Sequence, residues 1–366
     1  MKKKFEKICG NSNLIGASAV TLKDGKIEKS LVYGMQNREE KIKTSKWTTY
    51  RIASISKVVV AVCLMKLYEE GKIDIDEDIS KYLGFKLRNP SYTNIVIKVK
   101  DLMTQTSSIT DGTFEAGYDY INGTNTECRL EDLLLTDGKY YDEITFDKNK
   151  PGSKFIYSNF NCGILACVIE KITGKLFTEF AKEVVFKPLG MDASFVIGDI
   201  YHKDDIASIY LGKKLNRNKD DFIKKQYPKF PIGTNFRGPA GGVFANMTDL
   251  SRFMNIFLND GYPILKKDTV DLMLSYHWQG IGSGSYRAKG LQVMILDYKG
   301  HKLIGHFGDA YGVRSFMLFN PERKIGICYI TNGGDYQTHD IGIDNVQEQV
   351  LDLFIENYWK DEDAKA

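Results

Sequence analysis

Histidine and cysteine are scarce in this chain. The five histidines (His202, His277, His301, His306 and His339) show no metal-ligand spacing. None of the six cysteines (Cys9, Cys63, Cys128, Cys162, Cys167 and Cys328) falls in a C-x-x-C pair. A metal-dependent hydrolase is thereby disfavoured, and no cofactor or metal is expected. A chain of 366 residues buries a large core without disulfides, so reduced thiols and a cytoplasmic location fit. Charge of one sign is lacking too: 50 basic against 47 acidic residues gives +3, too balanced to imply a nucleic-acid partner. Long apolar runs are missing, since the longest, 58–65, falls far short of the ~20 residues that span a bilayer. The opening MKKKFEKICG has the lysines of a signal peptide without its apolar segment, so the alternatives are a cytoplasmic protein or one whose leader has been removed. The glycine-rich stretch 238–247 lacks the G-K-[ST] ending of a phosphate loop. There are no internal repeats and no low-complexity linker.

What is present centres on residues 51–72, RIASISKVVVAVCLMKLYEEGK, which hold the one S-x-x-K of the sequence, Ser54 and Lys57. The apolar run over 58–68 is long enough, and ends suitably in Glu69-Glu70-Gly71, for a buried helix. Ser54 then stands at the helix N-terminus, where serine is a favoured cap. Lys57, three residues on, shares its face. A buried lysine beside a serine hydroxyl is an activated-nucleophile arrangement. A capping serine with a surface lysine is the plain alternative.

Residues 14–33 read as a hairpin turning at Asp24-Gly25, and 50–53 as a strand feeding the Ser54 helix. A strand passing into a short helix is expected over 95–103, a loop with one short helix over 111–150, and an amphipathic helix from Tyr157 to Gly174. A charged loop follows at 213–225 and a helix at 248–259. From Leu291 the pattern becomes an antiparallel meander, closed by an amphipathic helix over 344–359. Strands at both ends and helices between them imply an α+β fold. One antiparallel sheet domain (1–85 with 260–366), flanked by terminal helices, is expected to carry a mostly helical inserted domain (86–259), with the site in the cleft between them.

A nucleophile needs a proton acceptor and an oxyanion pocket. Y-x-N occurs three times, and context selects Tyr157 to Asn159, just past PGSKFI at a helix start. One H-x-G, His306 to Gly308, lies in the meander, where glycine lets a substrate backbone lie alongside. Taken alone, His306 reads as a plain edge-strand histidine.

Taken together, RIASISKVVVAVCLMKLYEEGKIDIDEDISKYL, DLMTQTSSI, PGSKFIYSNFNCGILACVIEKITG, PAGGVFANMTDLSRFM and HFGDAYGVRSFMLFNPERKIGICYITN resemble the serine β-lactamase class C, D-alanyl-D-alanine carboxypeptidase and esterase family. The resemblance implies a β-lactamase/transpeptidase-like fold, with Ser54 as the acylated nucleophile and Lys57 helping to deprotonate it. It implies Tyr157 as acid/base partner, a role needing nearby cations because a tyrosine's ordinary pKa is about 10. Asn159 would bond Lys57 and a substrate amide. The backbone N–H groups of Ser54 and Asp309 would form the oxyanion hole, with His306 and Gly308 in the third motif.

Relatives of the β-lactamase type usually carry K-T-G where this chain has His306-Phe307-Gly308, with Asp309 following. Phe307 offers no hydrogen bond, His306 is only partly charged near neutral pH, and Asp309 adds negative charge. Weak binding of carboxylate-bearing substrates is expected, and neutral esters or peptides with a free amine should suit the site. Gln105 and Ser108, where the family tends to have His and Gly, read as structural and away from the chemistry. The resulting expectation is a serine hydrolase acting on a small molecule or short peptide, with β-lactams as a further ligand class. Peptidase or esterase action is favoured over efficient β-lactamase action. A penicillin-binding receptor that acylates without turnover is the alternative, and a catalytically silent scaffold a third reading.

Overall fold

The computed structural model describes residues 1–224, 229–282, 285–338 and 343–359; His339 lies outside them. Strand-forming sequence collects at the two ends of the chain, and there it builds one sheet. The hairpin consists of β1 (Gly16–Lys23) and β2 (Lys26–Asn37). Asp24 and Gly25 both take positive φ, 50° and 74°, as a two-residue turn matched to strand twist requires. A short β3 (Ile42–Lys43) follows. Beyond residue 277 come β4 (Trp278–Gly282), β5 (Ser285–Lys289), β6 (Met294–Tyr298), β7 (His301–Ala310), β8 (Val313–Asn320) and β9 (Ile325–Thr331). The nine strands run β3-β2-β1-β9-β8-β7-β6-β5-β4 in one antiparallel sheet. The first and last strands therefore pair, with Val20 opposite Cys328.

Side chains alternate across this sheet and feed two cores. Ala19, Leu318 and Tyr329 face the helices α1 (Lys2–Asn11) and α5 (Asn345–Tyr358). Val20, Met317 and Cys328 face the central helices α2 (Ser56–Glu69), α3 (Asn159–Thr173) and α4 (Met247–Leu258). The fold is α+β, a large antiparallel sheet between terminal helices and a mostly helical middle.

α2 is buried all round over 56–65, as its unbroken apolar sequence demands. α3 is buried from Phe160 to Glu170 rather than amphipathic, because it runs through the middle of the helical layer. It is capped by Ser158 and stops at Gly174, which takes φ 67°. α1 was not legible in the sequence. It buries Phe5 and Cys9, four positions apart, while Lys4 reaches Glu356 of α5 at 2.6 Å. The β4–β5 hairpin was also missed, because glycines dilute its alternation. The strand expected before residue 99 is absent; the chain there goes directly into a short helix, Val99–Met103. The charged loop at 213–225 holds a strand, Lys214–Arg217, and a short helix, Lys219–Lys224; residue 225 lies outside the described residues.

Candidate active site

Tyr50–Arg51 pairs with Phe244–Ala245 and leads into a tight turn, Ala53–Ile55. Ala53 takes φ 52°, a left-handed backbone that costs a non-glycine residue about 1 kcal/mol or more. Ser54 lies in this turn, two residues before α2, and does not cap the helix as its position suggested. Ser56 binds the turn instead, donating to the Ala53 carbonyl at 2.7 Å. The Ser54 hydroxyl is thereby left to other partners. Lys57 Nζ lies 3.0 Å from Ser54 Oγ, and Tyr157 Oη lies 2.7 Å from it. Lys57 is fully buried, so the surface-lysine alternative does not hold. Its ammonium also sits 4.8 Å from the centre of the Tyr157 ring, a cation–π distance.

Lys57 has two further partners, Asn159 Oδ1 at 2.9 Å and the Ala240 carbonyl at 2.8 Å. Both can only accept, so two N–H bonds of Lys57 are committed to them. The third position of the nitrogen points at Ser54 Oγ. As an ammonium it donates there; as an amine it presents its lone pair to the serine proton. One proton can move along that line without disturbing the other two bonds.

The Asn159 amide is held by Asp111, a residue that sequence reasoning passed over. Asp111 accepts from Asn159 Nδ2 (2.9 Å), Asn159 N (3.0 Å), Phe160 N (2.9 Å) and Ser158 Oγ (2.8 Å). A carboxylate accepts only, so Nδ2 must face Asp111 and Oδ1 must face Lys57. Gln105 holds the preceding loop: its side-chain oxygen accepts from Ser158 N at 2.9 Å, and its carbonyl accepts from Ile156 N at 2.8 Å. It is structural as expected, but its bonds flank Tyr157. Ser108 bonds Asn89 at 2.9 Å, and its φ of 68° fits a position where glycine is usual.

β7 passes close to the Ser54 turn. A side chain at Gly308 would bring Cβ to 2.8 Å from the Ile52 carbonyl oxygen and 3.2 Å from Ala53 Cβ, so glycine is what permits the approach. His306 lies on an interior strand, not at an edge, and is 4% exposed. Burial, with Lys289 and Lys57 adding to it, pushes its pKa well below the ordinary value, so the ring is neutral. Nδ1 lies 2.6 Å from the Phe307 carbonyl, an acceptor, which assigns the proton to Nδ1 and leaves Nε2 bare. Phe307 and Asp309 point to the opposite face. Phe307 packs edge-on against Phe316, and Asp309 pairs with Arg314 across the strands. Their side chains are therefore removed from the position assumed when carboxylate-bearing substrates were judged unsuitable. Sequence reasoning also missed Lys289, whose burial depends on the unforeseen β4–β5 hairpin. Among the described residues, no cluster of His, Cys, Asp and Glu could hold a metal.

A sheet of this order, covered by helices on both faces and approached at β7 by a Ser-Lys-Tyr cluster, defines the β-lactamase/transpeptidase-like class of fold. The chain belongs to the Beta-lactamase family, whose family model matches residues 1–351. It is 28% identical over 321 residues to Protein flp of Staphylococcus aureus (strain MRSA252), covering 87% of this chain and 59% of that one. The chain thus spans about three-fifths the length of the curated relatives it matches first. The octameric penicillin-binding protein homologue from Pyrococcus abyssi superposes with TM-score 0.74 at 24% identity, over 96% of this chain and 75% of that one. D-amino acid amidase from Ochrobactrum anthropi superposes with TM-score 0.73 at 19% identity, over 97% and 98% of the two chains. At these identities the two structures establish a shared fold.

Proposed function

We propose that this chain is a serine hydrolase that acts on amide or ester bonds through an acyl-enzyme, related to class C β-lactamases, with Ser54-x-x-Lys57 as its nucleophile motif. The observation that carries the reading is the Ser54 hydroxyl held 3.0 Å from Lys57 Nζ and 2.7 Å from Tyr157 Oη. Ser54 Oγ attacks the carbonyl carbon as its proton passes to the Lys57 amine. The backbone N–H groups of Ser54 and Asp309 receive the developing oxyanion. Tyr157 gives its proton to the leaving nitrogen or oxygen as that bond breaks, and recovers one from Lys57. Water then attacks the acyl carbon, its proton travels the same route back, and Ser54 is released. Asn159 bonds the substrate amide as well as Lys57. The site lies between two bodies, 1–85 with 260–366 and 86–259.

Peptidase, amidase or esterase action is favoured over efficient β-lactam turnover, since the K-T-G residues usual in β-lactamases of this family are replaced. The amide named for the Ochrobactrum structural neighbour supports this choice. Six unpaired, buried cysteines support a cytoplasmic location, and the near-neutral net charge gives no sign of a nucleic-acid partner. No helix among the described residues is long and apolar enough to cross a membrane. The test is intact-protein mass spectrometry beside turnover of p-nitrophenyl butyrate and a chromogenic cephalosporin, with Ser54→Ala in parallel. Ester turnover lost in Ser54→Ala is the expected result. A stable cephalosporin adduct without turnover would indicate the penicillin-binding receptor, and activity surviving Ser54→Ala would refute the reading.

A further inference from the structure

Arg51 stands three residues before Ser54, and its side chain reaches two other parts of the site. The first is the stretch that supplies the Ala240 carbonyl. Residues 238–242 hold three glycines, so this backbone has wide conformational freedom of its own. The peptide joining Ala240 to Gly241 sends its carbonyl to Lys57 Nζ at 2.8 Å and its N–H to the Gly238 carbonyl at 3.0 Å. The next carbonyl, that of Gly241, accepts from Arg51 Nε at 2.7 Å. One residue on, Val243 is held at both ends: its carbonyl accepts from Ile52 N at 2.9 Å, and its N–H donates to Ser56 Oγ at 3.1 Å. Arg51 therefore fixes the peptide that adjoins the acceptor of Lys57.

The second part is the turn between β7 and β8. Arg51 Cζ lies 4.8 Å from the centre of the Tyr311 ring, and Arg217 Cζ lies 4.0 Å from the same centre, both cation–π distances. Asn216 Nδ2 donates to the Tyr311 carbonyl at 2.8 Å. Tyr311 takes a φ of 59° and stands two residues past Asp309. Among the described residues no carboxylate pairs with Arg51 or Arg217. The link is thus made by a hydrogen bond and ring contacts, not by ion pairs.

We propose that Arg51 is a positioning residue, a strap that holds the 238–242 loop and the β7–β8 turn to the nucleophile turn. Through Gly241 it keeps the Ala240 carbonyl on Lys57, so that the third position of the lysine nitrogen stays on Ser54 Oγ. Through Tyr311 it keeps the end of β7, and with it the Asp309 N–H, beside the same turn. The effect on turnover rests on the serine-hydrolase reading; the strap itself does not. Arginine suits the place by shape. Nε donates within the guanidinium plane while the face of that plane lies on the ring, whereas the single nitrogen of lysine serves either the carbonyl or the ring. A shift of about 1 Å in a reacting group costs about a hundredfold in rate, so a loosened strap is felt in kcat.

The experiment combines turnover of p-nitrophenyl butyrate with hydrogen exchange read by mass spectrometry. Expected is a fall in kcat of about thirtyfold in Arg51→Met and about tenfold in Arg51→Lys, with KM changed less than about threefold in both. Wild-type kcat in Arg51→Lys overturns the proposal, since charge alone would then suffice. In a double-mutant cycle with Tyr311→Ala, the double variant should be little slower than Arg51→Met, and Tyr311→Phe should restore most of what Tyr311→Ala loses; fully multiplicative losses overturn the link to Tyr311. Independently of turnover, amide exchange in Arg51→Met should quicken about tenfold over 238–243 and 309–313 and match the wild type elsewhere. Unchanged exchange, or acceleration throughout the chain, overturns the strap. If Arg51→Met does not fold, Arg51→Lys carries the same exchange comparison. If Ser54→Ala hydrolyses the ester as well as the wild type does, the hydrolase reading fails while exchange still decides the strap.

Discussion

At Lys57 the decisive quantity is a single proton. Two of its three hydrogen-bonding positions are fixed by acceptors, and the third points at the Ser54 hydroxyl. If that geometry generates the nucleophile, Ser54→Ala lowers ester turnover by about a thousandfold or more while the fold persists, measured by initial rates beside circular dichroism. Asp111 acts one residue further out. Asparagine there would turn donors toward the N–H groups of Asn159 and Phe160. Asp111→Asn should cost about 1–3 kcal/mol of stability in urea and lower kcat by roughly tenfold to a hundredfold, with less effect on KM. Lys289 predicts a pH dependence of stability. Its folded pKa, about 7, lies below the unfolded value near 10.4, so between them the unfolded chain holds a proton that the folded chain lacks. Stability attributable to Lys289 therefore rises with pH across that window. Denaturation midpoints at about pH 6.5 and about pH 9.5 should show this rise in the wild type and lose it in Lys289→Met.

Among the elements, β7 and α1 make unlike contributions. β7 reaches the Ser54 turn because Gly308 has no side chain; a Cβ there would clash with the Ser315 hydroxyl and, at 2.8 Å, with the Ile52 backbone carbonyl, which cannot swing aside. Gly308→Ala should cost about 1–3 kcal/mol and depress kcat more than the stability loss explains, read from rates well below the melting transition. α1 lies on the far side of the sheet, where Phe5 meets Tyr329 edge-on with ring centres 6.4 Å apart. Phe5→Ala should destabilise by about 3–5 kcal/mol in urea while leaving KM for the ester unchanged. The contrast shows what local pattern could carry. α2 and α3 were legible because long apolar runs ended in glycine stops. α1 was not, because a ten-residue segment holding four lysines has only two buried positions to betray it.

For the whole molecule, the site is assembled from distant parts: α2 and its preceding turn, the loop before α3, Ala240, and β7. An acyl group on Ser54 touching several of these ties them together. Acylation by a slow-turnover ester should raise the melting temperature by several degrees in the wild type and leave Ser54→Ala unmoved, as thermal scanning would show.

The sequence by itself determined the α+β class, the meander, the central helices α2, α3 and α4, and where Ser54, Lys57, Tyr157 and Asn159 fall along them and their flanking turns. Those features rest on periodicity and motif order, which are local or depend only on spacing. Tertiary structure decided the rest. That Phe307 and Asp309 turn away from Ser54 follows from strand alternation fixed by which face the sheet buries. That Asp111 orients Asn159 and Lys289 lies against Phe155 depends on contacts between residues far apart in the chain, at distances no one-dimensional pattern encodes. Charge and burial at Lys289 became meaningful only when Phe155 closed over it, because the cost of an ion is set by what surrounds it in space.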